Sequence, residues 1–527
     1  MNRSFNLLKE PWLPCIDQQN QLVNLNLVDA VLQAHQIRGI QGDFPIITGA
    51  LYLFLIAFVM NILKPEDEEE WEQLWKKGHF AEDPVSHYVE QWNDRFDLFD
   101  PVHPFYQDPK IGEREKDVRN LKKGQKPVPK GMSGLIIHLA SGNNATLFDH
   151  SVDNIEKEYS AAQAAQWLIA LQAYSLGGMS SASIAKDRYY KDSPFSRGIL
   201  FLSKGQNLFE TVMLNLPSKN FSEFIGCMDD RPSWEREDPF TTERLVPDGM
   251  IDFLTWQSRR IFLIPDEANG KLTISSLLVA PGYGLIETFK NPFYHNRIIK
   301  DEKTPSIKPM RFQEGRSLWR DSAAILNVKS SNDINTLPIL WANHLNTYEI
   351  LGKELIQLDL YGMCTQPGQK KAYFYAHNSF TAPIEYIQNE DLLSNLQGGL
   401  TWAEQVRSNL YIAVRELARF IVTPMCDHDN VRTPSRDDTD PLMKHWNHKN
   451  VFWSRLETEF YTYLTLLPGD ENAHVHWQEA IKTAARKTLA YAADQAGTAP
   501  AGLKARAKAE RTLNYLMYKT FNPSEKE

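Results

Sequence analysis

Residues Ile46 to Leu63 read IITGALYLFLIAFVMNIL, a run long enough and apolar enough to cross a bilayer. A chain that carries it must either give it to a membrane or bury it on every side. Thr48, Gly49 and Asn61 interrupt the run, and the acidic cluster Glu66, Asp67, Glu68, Glu69 and Glu70 follows it. It lacks the short basic stretch and the cleavage site of a signal peptide, and it stands alone in the sequence. These features point to the central helix of a large soluble domain, so no membrane association is expected.

A helix buried on all faces needs a large body around it. The 527 residues allow two to four domains at about 150 residues each. With 42% hydrophobic and 23% charged residues, the composition is that of a globular protein rather than a disordered one. The 57 basic and 66 acidic residues leave a net charge of −9, which excludes a wholly basic nucleic-acid binder but permits a local basic surface. Cys15, Cys227, Cys364 and Cys426 are far apart and form no CxxC pair. That spacing argues against a disulfide scaffold or a ribbon-type zinc site and suits a reducing, cytoplasmic setting.

In the first two-thirds of the chain, short apolar runs alternate with Pro, Gly, Asn and Asp clusters, as in a mixed body with many loops. Val23, Leu25 and Leu27 alternate as in a strand, and Val28 to His35 continues in helical spacing. Arg259 to Pro265 and Lys271 to Val279 read as strands around the turn EANG. Lys110 to Lys130 carries Lys110, Arg114, Lys116, Arg119, Lys122, Lys123, Lys126 and Lys130 with few apolar anchors, and reads as an exposed, mobile basic loop. The last third is helical. Val406, Leu410, Ala413, Leu417 and Phe420 form one apolar stripe, and Trp453, Leu456, Phe460, Tyr463 and Leu467 form another that Pro468-Gly469 ends. Trp477, Ile481, Ala484 and Thr488 continue the pattern, and a further helix is expected from Ala501 to Tyr518. The chain is thus expected to be α+β, with a large mixed N-terminal domain over 1–388 and a C-terminal four-helix bundle over 389–527.

Signatures of catalysis are missing from the sequence: it contains no GxxxxGK[ST], no GxSxG and no HExxH, and Gly282-Tyr283-Gly284 is only a fragment of a glycine-rich motif. The most metal-like group is Cys426, His428, His445 and His448, with His445 and His448 spaced as on one helical face. A His-Asn-His nuclease would need a strand hairpin leading into a helix, whereas this stretch is expected to lie between two bundle helices. A polar inter-helix loop explains the letters better, so no metal, no cofactor and no enzymatic activity are expected.

Three other features bear on function. YSLGGMSSAS (Tyr174 to Ser183) follows a helix-like stretch from Ala161 to Ala173. Gly177-Gly178 reads either as a plain glycine helix cap or as a loop whose bare backbone can approach a nucleic-acid groove. LDLYGMCTQPGQKKAYFY (Leu358 to Tyr375) reads as a hairpin with Gln366 and Gln369 at a Pro-Gly turn and Lys370 and Lys371 behind it. Such a tip is either simply solvated or a wedge between base pairs. ASGNNATLFDH (Ala140 to His150) is a small polar loop in which Asn143 and Asn144 can make backbone or base contacts and Phe148 can stack.

The opening FNLLKEPWLP (Phe5 to Pro14) and the QLVNLNLVDAV after it, HPFYQ (His103 to Gln107), SGNNATLFDH (Ser141 to His150), LTWQSRRI (Leu254 to Ile261), SLWRD (Ser317 to Asp321) and FWSRLE (Phe452 to Glu457) follow one another along the chain. Together, over nearly the whole length, they resemble the CasA family, the large subunits of type I-E CRISPR Cascade complexes.

That resemblance implies recognition rather than catalysis. Such subunits bind the protospacer-adjacent motif of foreign double-stranded DNA through the minor groove and start unwinding beside it. The guide RNA then pairs with the target strand, and a helicase-nuclease is recruited. Implied partners are therefore guide RNA, target DNA, the backbone, guide-end-binding and small subunits of the complex, and the helicase-nuclease. The resemblance assigns the glycine loop to Leu176, Gly177, Gly178 and Met179, the wedge to Gln366 or Gln369 with Lys370 behind, and the guide-RNA contact loop to Asn143, Asn144 and Phe148. A lysine finger falls on Lys290, with Lys300 and Lys303 as alternatives. Relatives with four cysteines near Ile261 to Val279 differ from this chain, so no structural zinc is carried over. Basic residues at Lys110 to Lys130, and Lys482, Arg486, Lys487, Lys504, Arg506 and Lys508, can guide duplex DNA. Two rival readings are a metal-dependent nuclease at His445 and His448 and a scaffold that does not read DNA.

Overall fold

The apolar run forms the helix Pro45–Leu63 in a computed structural model that describes residues 3–132, 135–136, 158–179, 182–222, 224–225, 227–268, 271–300, 306–331, 333–352, 355–365, 372–428, 431–497 and 499–522. Pro45 opens it, where a missing N–H costs nothing, and Lys64 ends it in the left-handed region at φ 39°. Of its most apolar window, 89% is buried inside the protein. Around it pack the helices Ala161–Tyr174, Met250–Leu254, Glu82–Trp92 and Leu208–Leu214 and the strand Leu355–Thr365. Phe54 and Phe58 meet Trp234 edge-on or tilted, within an aromatic cluster that includes Phe96, Phe105 and Tyr106.

The residues that interrupt the run each have a use. Thr48 Oγ1 accepts the Gly42 N–H at 3.0 Å. A Cβ at Gly49 would lie 2.7 Å from the Tyr174 hydroxyl, so glycine permits that helix to approach. Asn61 donates to the Tyr88 hydroxyl at 3.1 Å and to Glu235, and Trp234 Nε1 donates to the same hydroxyl at 2.7 Å. The Thr48 hydroxyl and the Asn61 amide nitrogen are thereby paired, although Asn61 Oδ1 and the Tyr174 hydroxyl are buried without a hydrogen-bond partner.

The chain divides into two units, Met1–Phe312 with Ser331–Thr381, and Gln313–Ser330 with Ala382–Glu527. The first holds the strands. A long antiparallel hairpin joins Arg259–Ala268 to Lys271–Pro281, with Arg259 opposite Pro281. Short strands at Lys130–Gly131 and Tyr159–Ser160 add to the second arm. A second hairpin, Leu355–Thr365 with Ala372–Pro383, is fixed at its base by Leu200–Ser203, with Leu358 opposite Ser203.

In the second unit, among the described residues, four long helices, Glu390–Val422, His448–Leu466, Ala473–Gln495 and Pro500–Phe521, enclose an apolar core. A shorter one, Arg436–Trp446, opens on a capping box at Ser435. Trp477 stacks on Tyr463 at 5.1 Å and donates to the Gly399 carbonyl at 2.9 Å. The segment 313–330 returns to this unit: Trp319 stacks on Phe460 at 4.5 Å, and the Arg320 guanidinium sits 3.9 Å over the Trp453 ring.

Candidate nucleic-acid interface

The glycines after Ala161–Tyr174 do not cap that helix. Ser175 closes it in extended conformation, its N–H returning to the Leu171 carbonyl and its hydroxyl donating to the same oxygen at 2.6 Å. Because that cap needs no left-handed residue, Gly177 and Gly178 are left to build a two-stranded antiparallel ribbon. Gly178 lies opposite Tyr190, and Met179 lies opposite Tyr189.

Both glycines are required by the backbone. A Cβ on Gly177 would stand 2.7 Å from the Tyr190 carbonyl oxygen and 2.8 Å from the Asp192 nitrogen. Gly178 sits at φ 127°, which side-chain-bearing residues rarely adopt. Opposite partners share a face. On one face of the ribbon Met179 is 84% exposed and Tyr189 is exposed beside it. On the other, Gly178 and Tyr190 are buried.

Beneath the buried face lies Arg259, only 4% exposed. It donates to the Leu176 carbonyl at 3.1 Å, to the Lys191 carbonyl at 2.9 Å and to the Ser258 carbonyl at 2.8 Å. Its guanidinium also lies 4.7 Å from the Tyr190 ring centroid. One side chain thus holds the chain before the first strand of the ribbon and after the second. Burial pulls its pKa down to about 10, against smaller opposing effects of Tyr190 and Asp192. Asp192 accepts the Gly177 N–H at 2.6 Å and is itself gripped by Arg197 at 2.7 and 2.9 Å. Below these, Gln172 exchanges two 2.9 Å hydrogen bonds with the Arg259 backbone.

Arg260 points to the opposite side of the same strand, as period two requires. It meets Asp117 bidentately at 2.7 and 2.9 Å. Asp117 belongs to a short helix, Glu115–Asn120, inside the basic stretch that reads from sequence as a mobile loop. The structure corrects that reading: a fully buried ion pair and strand pairing of Lys130–Gly131 hold the stretch to the protein.

The second hairpin is rigid at its base. Asp359 accepts from Ser379 at 2.7 Å, and His377 Nε2 lies 3.3 Å from the same oxygen. Lys204 stands 3.7 Å away and His377 stacks flat on Tyr361 at 4.6 Å. Burial raises the Asp359 pKa, but His377, Lys204 and Ser379 together outweigh it and hold the carboxylate below its ordinary range. Gln366, Gln369 and Lys370 at the tip lie outside the described residues, as do Asn143, Asn144, Phe148 and Lys303. Lys290 is exposed just after the turn Ile286 to Phe289, and Lys300 is exposed at the end of the strand Asn296–Ile299.

His445 and His448 do not share a helical face. Asn447, left-handed at φ 46°, ends one helix and begins the next, so the two histidines belong to different helices. His448 is half-buried, and burial lowers its pKa. No group of three or more potential metal ligands occurs among the described residues.

The motif LTWQSRRI, read as sequence, gives Arg259 no task of its own. The usable signal is an arginine at the head of a strand whose next residues are largely apolar. Gly284 likewise reads only as a motif fragment, yet a Cβ there would meet the Lys191 stem at 2.6 Å.

Comparison with known proteins gives a consistent result. A model of the family described as CRISPR-associated protein Cse1 matches residues 6–495. The CRISPR-associated protein CasA/Cse1 of Thermus thermophilus is 29% identical over 531 residues, covering 97% of each chain. The crystal structure of Cse1 from Acidimicrobium ferrooxidans superposes with a TM-score of 0.81 at 22% identity, covering 99% of both chains. A chain of a CRISPR RNA-guided surveillance complex gives 0.74 at 17% identity, covering 97% of this chain and 99% of that one.

Proposed function

The chain belongs to the CRISPR-associated Cse1 family, and on that premise we propose that it is the large, non-catalytic subunit of a cytoplasmic type I-E Cascade complex. In this reading it recognises the protospacer-adjacent motif in duplex DNA, starts strand separation for guide-RNA pairing and helps recruit a helicase-nuclease. The observation that carries it is the glycine ribbon clamped on Arg259. Side chains are absent at Gly177 and Gly178 where backbone must come close, and the ribbon is fixed from below before any ligand arrives.

Backbone and short side chains suit the minor groove, where A·T and T·A present the same acceptors. Such a reader tolerates several related motifs rather than one. Gln366 or Gln369, with Lys370 behind, then acts as a wedge at the end of the braced hairpin. Parting the first base pair costs roughly a few kcal/mol, offset by protein contacts and RNA–DNA pairing. Asn143, Asn144 and Phe148 serve the guide-RNA end and neighbouring subunits, and Lys290 serves as the lysine finger.

The test is a gel-shift series on the complex reconstituted with and without this chain. Duplexes match the guide and differ only in the flanking motif. Tight binding is expected to require both the chain and a favoured motif. Gly178→Asp, and Gln366→Ala with Gln369→Ala, are expected to abolish that dependence. Motif-dependent binding that survives both changes leaves the chain a scaffold and refutes the reading.

A further inference from the structure

The basic stretch and the glycine ribbon share one spine. Along the strand Lys271–Pro281, Leu277 pairs with Lys130 and Ser276 with Gly131. Two residues on, Val279 exchanges hydrogen bonds with Ser183, at 2.9 Å to its backbone and 3.1 Å to its hydroxyl. Ser183 in turn accepts the Val128 N–H at 2.9 Å. Beyond the strand, Gly284 lies against the stem of Lys191. The end of the basic stretch, the segment Ser183 to Tyr190 and Lys191 are therefore laid side by side. From Leu277 to Gly284 the chain spans at most about 25 Å.

The charges along this spine are one-sided. Lys122, Lys123, Lys126, Lys186, Arg188 and Lys191 are exposed, and none is ion-paired to a carboxylate among the described residues. The acidic residues between them are largely answered: Asp187 by Lys116 at 3.8 Å, Asp192 by Arg197 at 2.7 Å, Asp117 by Arg260 at 2.7 Å, and Glu115 by Arg119. Glu113 offsets one cation. On a chain of net charge −9, such a local excess has to be built deliberately into one place.

From this juxtaposition we infer that Lys122, Lys123, Lys126, Lys186, Arg188 and Lys191 form one continuous phosphate-binding track for the duplex DNA that meets the glycine ribbon. The inference rests on the reading of the ribbon given above. Phosphates of one strand advance about 3.4 Å each along the helix axis, so a track of this length runs beside at most about seven base-pair steps. The backbone beside the track is tethered at Val128, at Ser183 and at the strand Tyr189–Tyr190, which limits how much of the chain binding has to order. Because phosphates carry no sequence, the track adds affinity and register to a motif read elsewhere.

The test uses the reconstituted complex on guide-matched duplexes with and without the favoured motif. One variant carries K186A, R188A and K191A, and a second carries K122A, K123A and K126A. Affinity is measured from low to high salt. Each variant is expected to flatten the slope of log affinity against log salt by about 2–3, since each phosphate that a cation no longer neutralises removes about 0.9. Each should also weaken both duplexes equally. An unchanged slope in either variant overturns the continuous track. Loss of guide RNA from the purified variant complexes overturns DNA as the occupant. Gly178→Asp run in parallel separates the two claims. If it abolishes motif discrimination while the slopes of the lysine and arginine variants stay unchanged, the track fails alone. If it leaves discrimination intact, the reading of the ribbon fails.

Discussion

Arg259 reaches across 83 positions of sequence to donate from Nη2 to the Leu176 carbonyl oxygen at 3.1 Å. The same guanidinium takes the Lys191 carbonyl, so the two ends of the glycine ribbon share one anchor. It has no carboxylate partner to neutralise it among the described residues, and burial lowers its pKa to about 10, unlike Arg260, which Asp117 holds above the ordinary value against burial. A buried cation matched by carbonyl dipoles and the Tyr190 ring rather than by a paired carboxylate is costly to keep, and what it secures here is the position of Gly177 and Gly178.

Replacing Arg259 with Lys keeps the charge but loses the planar fork. One or more of the three carbonyls is left unpaired, at about 1–3 kcal/mol each. We expect a lowered melting temperature and about a tenfold fall in discrimination between favoured and unfavoured motifs. Affinity for a duplex without the motif is expected to change far less. Calorimetry and a gel-shift comparison check this, and a Lys variant with full discrimination would show that charge alone suffices.

Asp359 is the counter-charge for Lys204, which is mostly buried and also donates to Tyr52 at 2.9 Å. Asp359→Asn leaves that ammonium uncompensated, at a cost of about 3–5 kcal/mol. Hydrogen exchange along Leu355–Thr365 is expected to accelerate, and adding Lys204→Met is expected to restore most of the protection.

Asp230 accepts the backbone N–H groups of Ile251 and Asp252, both at 2.8 Å, yet burial raises its pKa to about 6. A folded-state pKa above the unfolded value of about 3.9 means that the folded chain holds the proton more tightly. The stabilisation is complete below the unfolded value and is lost as pH rises through about 6. The margin of wild type over Asp230→Asn is therefore expected to shrink between pH 4.5 and 7 in thermal melts. A margin constant with pH would contradict this.

Gly398 and Gly399 sit side by side in Glu390–Val422 and should respond oppositely to alanine. Nothing lies within 4 Å of a Cβ at Gly398, so Gly398→Ala gains helix propensity of about 1 kcal/mol. A Cβ at Gly399 would stand 2.5 Å from the Tyr463 hydroxyl, which donates to Asn395. Overpacking there costs about 1–3 kcal/mol and outweighs the same propensity gain. Thermal unfolding of the two single variants should move in opposite directions.

Elements held together by local pattern are legible in the sequence. The buried helix Pro45–Leu63 follows from an almost unbroken apolar run and the stripes of the bundle from their spacing, because burial and helix period act within a few residues. The glycine ribbon is half legible: the glycines stand out, but the cap expected of them is made by Ser175. Arg259, the return of 313–330 beside Trp453 and Phe460, and the tethering of Val128 to Ser183 depend on partners far away in the chain. His445 and His448 mislead for a local reason, since a left-handed Asn447 breaks a spacing that otherwise looks continuous.

The helix Pro45–Leu63 also sets a problem of timing. Its partners come late in the chain, at Ala161–Tyr174, Met250–Leu254 and finally Leu355–Thr365. At translation rates of about 5–20 residues per second, the wait from the helix to that last strand is about 15–60 seconds. Throughout that interval the most apolar segment of the nascent chain is enclosed only in part, as Glu82–Trp92, Ala161–Tyr174, Leu208–Leu214 and Met250–Leu254 follow it one after another. Apolar surface exposed for so long is prone to aggregation, so the order in which the partners emerge bears on how this chain folds.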